Sequence, residues 1–421
     1  MISSVSSRLL ASSAWGVITL RGGIVALNFG VMIGLAASMG LAAFGQLAVI
    51  WGLAMIAATA LSAGAPLLLL RRLSDGRGMS AKAIVFQMAC LPLFLALLAC
   101  CLLSIVFAPV AVLAVLLCGL TVNLLNCLAS IMRALGSVQT SMALKAAGPF
   151  VALGLAGVIA PGASAVKILL LAAAFIGLLA VAATIWCVLQ KGRTQVITKS
   201  DNTSGVAWSL WGASLLGMGL AQIDIVVGGS ILSPEQIGFY AVLRRLANLV
   251  ALPVSVATWV SAGPISKAYA TDNHDALRQA SARGSQIALA PGLILFGAIL
   301  LMLPLWDLAI GQELGAQGRV PQMMLSLGAL VQVVFASGFT VATLCGHARH
   351  AAASRAISIL IYLAMVAILG SGIGLFGHAC IYATALTLGS IWLWFTLRQR
   401  LAIDTSIASL WRNGGAVWRP S

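Results

Sequence analysis

Four ionisable residues stand inside long apolar runs: Arg21, Asp224, Arg244 and Arg245. An ionised side chain near the centre of a bilayer costs on the order of 3 kcal/mol on insertion scales, so each needs a counter-charge or a wet cavity. Guanidinium groups keep their proton at any working pH and grip phosphate oxygens two at a time, so three interior arginines suit an anionic passenger such as a pyrophosphate. The competing use of the same residues is mechanical, with arginines that pin helices together. Asp224 lies nine residues before Ser233 and Arg244 eleven after it, so an antiparallel hairpin turning at Ser233-Pro234 sets both at nearly the same depth. That geometry predicts a structural ion pair and leaves Asp224 open as a group that titrates during coupling, with a proton or sodium as the coupling ion. Adjacent helical residues point about 100° apart, so Arg244 and Arg245 cannot face Asp224 equally. The surplus positive charge, together with Arg21, makes the expected interior cationic. Asn123, Asn126 and Gln222 are the uncharged polar groups placed to face a sugar, and each fits a helix–helix hydrogen bond equally well.

Helices crossing a membrane must hold these residues. Of 421 residues 61% are hydrophobic and 8% charged, against roughly 25% charged in a soluble domain. A hydrocarbon core about 30 Å thick needs about 20 apolar helical residues per crossing. Twelve such runs can be drawn, at 11–35, 44–70, 83–107, 110–132, 146–165, 168–189, 206–232, 237–262, 287–310, 321–344, 357–376 and 378–397. The fold class is therefore all-α, a polytopic membrane protein of about 12 transmembrane helices. The net charge of +15 is a matter of placement: nineteen of the 24 Lys and Arg fall in loops on one side, against Lys167 and Arg319 on the other. The positive-inside rule puts the richer side, and both termini, in the cytoplasm, and the charge reads as topology rather than as nucleic-acid binding.

The polar stretch Gln190 to Ser204 divides six runs from six. It marks an amino-terminal lobe, 1-195, and a carboxy-terminal lobe, 196-421. Ala14-Trp15 is followed thirty residues on by Gly45, and Ala207-Trp208 by Gly238 at the same interval, each glycine opening a second long run. An even number of spans per lobe makes the repeat parallel, as in transporters built of two six-helix bundles around a shared cavity. Segment 264–286 is expected to be a cytoplasmic connector helix. The tail, with Trp411 and Trp418 beside Arg412 and Arg419, is expected to lie at the headgroup interface. The eight cysteines contain no CxxC pair, and His347 and His350, with only Cys345 nearby, have no acidic partner, so no metal site and no cofactor are expected.

The stretch 221–249, AQIDIVVGGSILSPEQIGFYAVLRRLANL, resembles the polysaccharide-transport branch of the multidrug, oligosaccharidyl-lipid and polysaccharide (MOP) exporter superfamily, the lipid-linked oligosaccharide or O-antigen flippases. Asp224, Gly238, Tyr240 and Arg244 match that pattern residue by residue. Arg21 with Phe44-Gly45 and Leu375-Phe376-Gly377 are weaker echoes, while the length and the tight joins between spans three and four and between five and six depart from it. The resemblance implies a flippase of the bacterial cytoplasmic (inner) membrane. Such a protein moves polyprenyl-pyrophosphate-linked glycan to the outer leaflet by alternating access for surface or exopolysaccharide biosynthesis, alongside polymerase machinery. A drug antiporter of the same superfamily, the MATE type, is the nearest rival, although it favours acidic cavity residues and this chain offers only Asp224. A membrane glycan polymerase or acyltransferase would need a long outer loop or an outward-facing His–acid pair, and neither can be drawn.

Overall fold

A computed structural model describes residues 2–74, 81–189, 204–305, 312–401 and 403–408; of these, the side chains of 2–18, 71, 74, 81, 204–210, 305, 312–315 and 371 are not discussed. The linker 190–203 and the tail carrying Trp411 and Trp418 lie outside the described residues. Every regular element among them is helical. In chain order these are α1 (Ile2–Met39), α2 (Leu41–Leu61), α3 (Ala65–Ser74), α4 (Lys82–Leu103, with a π turn at Phe86–Cys90), α5 (Pro109–Ala134), α6 (Val138–Ala146), α7 (Gly148–Ile159) and α8 (Ala165–Leu189). They continue with α9 (Ser204–Ile231), α10 (Pro234–Val250), α11 (Leu252–Ala270), α12 (His274–Met302), α13 (Gln312–Val334), α14 (Gly338–Leu344), α15 (Ala348–Leu369) and α16 (Gly374–Leu401). Ten stretches are long and apolar enough to cross a bilayer, and twelve if each of two bent pairs, α6 with α7 and α13 with α14, counts as one span. The chain is an all-helical, multi-pass membrane protein with ten to twelve candidate crossings, against the twelve apolar runs of the sequence.

Side-chain partition shows the solvent each face meets. Phe94, Leu97 and Leu178 are 63%, 59% and 65% exposed, as lipid-facing residues are, whereas Ala54, Ala114, Ala152, Ala172 and Ala180 are fully buried. Small residues line the helix contacts because hydrocarbon supplies no force that drives apolar surfaces together, and close backbone approach supplies dispersion instead.

The chain forms two compact units: Met1–Gly229 with Ser233–Gly238, and Ser230–Leu232 with Phe239–Ser421. Most of α9 therefore packs in the first unit, through Val226 and Gln222 against Gly52, and Gly229 against Val49. Packing divides the chain later than the polar linker does. In the first unit the two glycines that mark the repeat meet. A Cβ on Gly238 would run into the carbonyl oxygen of Leu41, and one on Gly45 into that of Pro234. The repeat's counterpart positions thus form a direct backbone contact that only glycine permits.

At three of the breaks within spans, a donor from another part of the chain reaches a carbonyl beside the break. The run 44–70 is cut at 62–64, where Ala63 and Gly64 take positive φ. There the Trp211 indole donates to the carbonyls of Thr59 (3.0 Å) and Ala60 (3.2 Å). Between α6 and α7 the axis bends 41°, because Pro149 has no amide hydrogen for the turn before it. Asn28 Nδ2 donates to the Ala146 carbonyl there at 3.1 Å. Between α13 and α14 the bend is 47°, and the amide of Ile407, from the segment after α16, donates to the Val334 carbonyl at 3.1 Å. Lipid supplies no hydrogen bonds, so these donors are what make the breaks tolerable.

Two expectations are corrected. The fifth span begins at Val138, not near 146: Lys145 had read as loop, but it sits in a helix. Residues 264–286 form no separate connector, because α11 runs to Ala270 and α12 starts at His274, so both spans extend to meet in a three-residue turn. The second half of the eighth run does break, at Ala251, two residues before Pro253. Replacing Gly238 with alanine is expected to lower stability by about 1–3 kcal/mol, the cost of overpacking, since backbone rather than a flexible side chain must yield. Thermal unfolding in detergent, with Gly263→Ala as a control where nothing lies within 4 Å, measures it.

Candidate functional site

The second unit gathers buried polar groups from three helices. On α10, Tyr240, Arg244 and Asn248 follow one another at one-turn intervals, which sets them on one stripe. On α16, His378 and Tyr382 share the same spacing, and Tyr362 comes from α15. Tyr240, Tyr362 and His378 are fully buried, Tyr382 is 1% exposed and Arg244 6%. The His378 ring sits edge-on to Tyr240 with centroids 4.8 Å apart and to Tyr362 at 5.8 Å, and Tyr362 meets Tyr382 at 6.1 Å. Arg244 donates to Asn248 Oδ1 and to the Tyr382 hydroxyl, and its Cζ lies 4.4 Å from the centre of the Tyr382 ring. Arg244 is therefore embedded, with its guanidinium shared between an amide, a phenol and a ring face. Arg245, one residue on, is half-buried.

The first unit holds a different constellation. Arg21 on α1, Arg133 at the end of α5 and Lys145 on α6 stand close enough that Lys145 feels both other charges. Gly136, with φ 88°, ends α5 by turning the chain, so that Arg133 and Lys145 lie on the consecutive helices to either side of the turn. Lys145 is exposed. Arg133 is also exposed and Arg21 half-buried. Among the described residues no carboxylate pairs with Arg21 or Lys145.

Asp224 is fully buried on α9, in the first unit, and Arg244 belongs to the second. Asn123 is fully buried, accepting the Cys127 thiol at 3.8 Å, so it sits in a helix interface. Asn126 is half-buried, and Gln222 is 8% exposed against Gly52. Arg21 thus joins Arg133 and Lys145 in a cationic group, while Arg244 joins a buried aromatic cluster. Sequence reasoning missed Lys145 and Arg133, which it assigned to a loop, and the ring cage around His378. The signal for Lys145 was Pro149 four residues later, which marks a break inside a span rather than its start. No three metal-ligating side chains gather among the described residues.

No protein-family model matches the chain, and no curated protein matches it in sequence. Solved structures do resemble it in fold. An inward-facing multidrug resistance MATE family transporter of the MOP superfamily is similar at TM-score 0.65, with 14% identity, over 95% of this chain and all of the other. The MATE multidrug transporter DinF-BH is similar at TM-score 0.68, with 16% identity, over 94% of this chain and 96% of its own. The Vibrio cholerae MATE transporter VcmN is similar at 0.64, also with 16% identity, over 94% and 99% of the two chains. The chain has the MATE transporter fold over nearly its whole length.

Removing the phenol that Arg244 donates to, by Tyr382→Phe, leaves a buried charged donor short of an acceptor. A loss of about 1.5–3 kcal/mol is expected, the range for hydrogen bonds to charged groups. Denaturant unfolding of the detergent-solubilised protein reads it.

Proposed function

We propose that this protein is an exporter working by alternating access in the bacterial inner membrane, and that its passenger is an anionic, lipid-linked glycan presented as a polyprenyl pyrophosphate. The observation that carries the reading is the grouping of Arg21, Arg133 and Lys145. Three cations held near one another repel, and a pyrophosphate relieves that repulsion while accepting bidentate hydrogen bonds from the arginines. With both termini in the cytoplasm, as the loop charges imply, Arg133 and Lys145 flank a turn on the side where a lipid-linked precursor is made. The sugar head would travel in water, the pyrophosphate on the cations, and the polyprenyl tail in the bilayer. Polysaccharide polymerase machinery on the far side is the consumer such a product requires.

A second reading has its own support. The solved structures of this fold are multidrug transporters, so likeness of structure alone favours a MATE-type drug antiporter over a glycan flippase. Fully buried Asp224 supplies the kind of acid such a transporter uses for a cationic drug or a coupling proton or sodium. Charge separates the two readings, since a group of Lys145 and two arginines repels cationic drugs.

In cells lacking the protein, polyprenyl-pyrophosphate glycan is expected to accumulate in the cytoplasmic leaflet and to be cleared when wild type is restored. Arg21→Ala and Lys145→Ala should insert normally and export about 10- to 100-fold more slowly, the loss that corresponds to one charge-assisted pair at about 1.5–3 kcal/mol. Arg244→Ala should act differently and lower abundance, because it opens a packed cluster. An unchanged leaflet distribution, with drug efflux restored by wild type and lost in Asp224→Asn, would establish the antiporter instead.

A further inference from the structure

In the second unit the start of α15 and the end of α16 come together with positive charge that no carboxylate answers. Ala351 of α15 packs with Leu393 and Leu397 of α16 in one buried cluster, so the two helix ends lie at one level. The chain enters α15 through His347, with Arg349 and His350 in the first turn and no acid there, and α16 closes with Arg398 and Arg400. His350 stands within electrostatic reach of Arg349, His347 and Arg400. Its ring lies 5.4 Å from that of His347 and 6.4 Å from that of Trp392. Arg349, Arg398 and Arg400 are all exposed. The acids at this level are engaged elsewhere. Asp404 accepts the Trp394 indole at 2.9 Å and the Ser406 amide at 3.0 Å, Asp272 faces His274 at 3.6 Å, and Asp275 faces Arg278 at 3.5 Å. Among the described residues no carboxylate pairs with Arg349, Arg398 or Arg400.

These cations also cap surfaces made for hydrocarbon. On α16, Leu388, Ile391 and Phe395 are exposed and, at intervals of three and four, share one face that reaches Arg398 three residues on. On α15, exposed Leu360 stands eleven residues after Arg349, about three full turns, so the two line up along the helix. Gly389 keeps the two helices close, since a Cβ there would run into the Ser354 carbonyl oxygen. Half-buried Trp392 and Trp394 precede the arginines of α16 by one to two turns, and indole rings favour the headgroup layer. Arg398 Cζ lies 5.5 Å from the centre of the Trp394 ring, whereas Arg355, deeper on α15, is turned onto Phe339 at 3.8 Å. We propose that this pair of helix ends is a binding site for an anionic phospholipid. Its phosphate is held by Arg349 and Arg400 with Arg398 beside them, and its acyl chains lie on the lipid-facing sides of α15 and α16. A phosphodiester offers one negative charge and free oxygens that guanidinium groups grip in pairs. A basic loop alone sets topology, but cations from two helices that cap apolar faces match a molecule anionic at one end and hydrocarbon along the rest. A soluble phosphate has nothing to place on Leu388, Ile391 and Phe395. The site serves a glycan exporter and a drug antiporter alike.

Native mass spectrometry of the detergent-solubilised full-length protein tests this, by titration with phosphatidylglycerol and, separately, with phosphatidylcholine of the same acyl chains. Phosphatidylglycerol is expected to bind about tenfold or more tightly than phosphatidylcholine. Arg349→Gln and Arg400→Gln should each weaken phosphatidylglycerol about fivefold, and the two together about thirtyfold, the ordinary effect of losing arginines at a lipid surface. Phosphatidylcholine binding should not change in these variants. Arg349→Lys with Arg400→Lys keeps both charges and should stay within about threefold of wild type. Lys167→Ala, which removes an exposed cation of α8 in the other unit, should change nothing. The proposal fails if the two lipids bind alike, if the double glutamine variant holds phosphatidylglycerol as wild type does, or if Lys167→Ala weakens it as much. Millimolar inorganic phosphate should leave the lipid in place; displacement would mean a site for the phosphate group alone and would overturn the assignment to a lipid. Should the double glutamine variant not insert, the single variants and the comparison of lipids on wild type decide the matter.

Discussion

Hydrocarbon offers no partner to a backbone N–H or C=O, and nearly everything in this structure answers to that constraint. It makes every described regular element a helix, and it makes every interruption of a helix a place where some other group must be supplied. Trp211 serves the end of α2, Asn28 serves the bend before α7, and the amide of Ile407 serves the bend before α14. At the third bend the supplying chain is the segment that follows the last span. Its Thr405 carbonyl also receives the Ser337 and Ser285 hydroxyls, so the bend and the segment hold one another. A helix already interrupted has fewer of its own backbone hydrogen bonds to lose if it flexes at such a break.

The interior charges divide by the same logic of solvent. In the first unit Lys145 is exposed and Arg21 half-buried, with no carboxylate paired to either among the described residues. In the second, Arg244 gives up water and is repaid by Asn248, a phenol and a ring face. An exposed cation can bind and release a ligand, whereas a buried one holds helices in a particular arrangement. The two halves of the chain, alike in the order of their spans, therefore carry different chemistry.

Small residues permit this arrangement. The buried alanines of α2, α5, α7 and α8 and the Gly45–Gly238 contact let backbones approach, leaving the large apolar side chains to face lipid. The two glycines were visible in the sequence as marks of a repeat. Their meeting, carbonyl against backbone, was not.

Helix content and the count of crossings were determined by the sequence alone, because about 20 apolar residues between polar breaks must span a bilayer wherever they lie in the chain. The identity of the expensive residues was legible for the same reason: a charge inside an apolar run is costly whatever surrounds it. Which charges share a space was not legible, since that depends on bends and on contacts between helices far apart in sequence. Lys145 lay four residues before a proline and read as loop; only the bend at 147 and the turn at Gly136 bring it to Arg21 and Arg133. His378 read as an isolated histidine. Only the packing of α10, α15 and α16 brings Tyr240 and Tyr362 against it and sets Tyr382 and Arg244 behind them, because such a cluster is made of side chains from several helices and no single helix carries it.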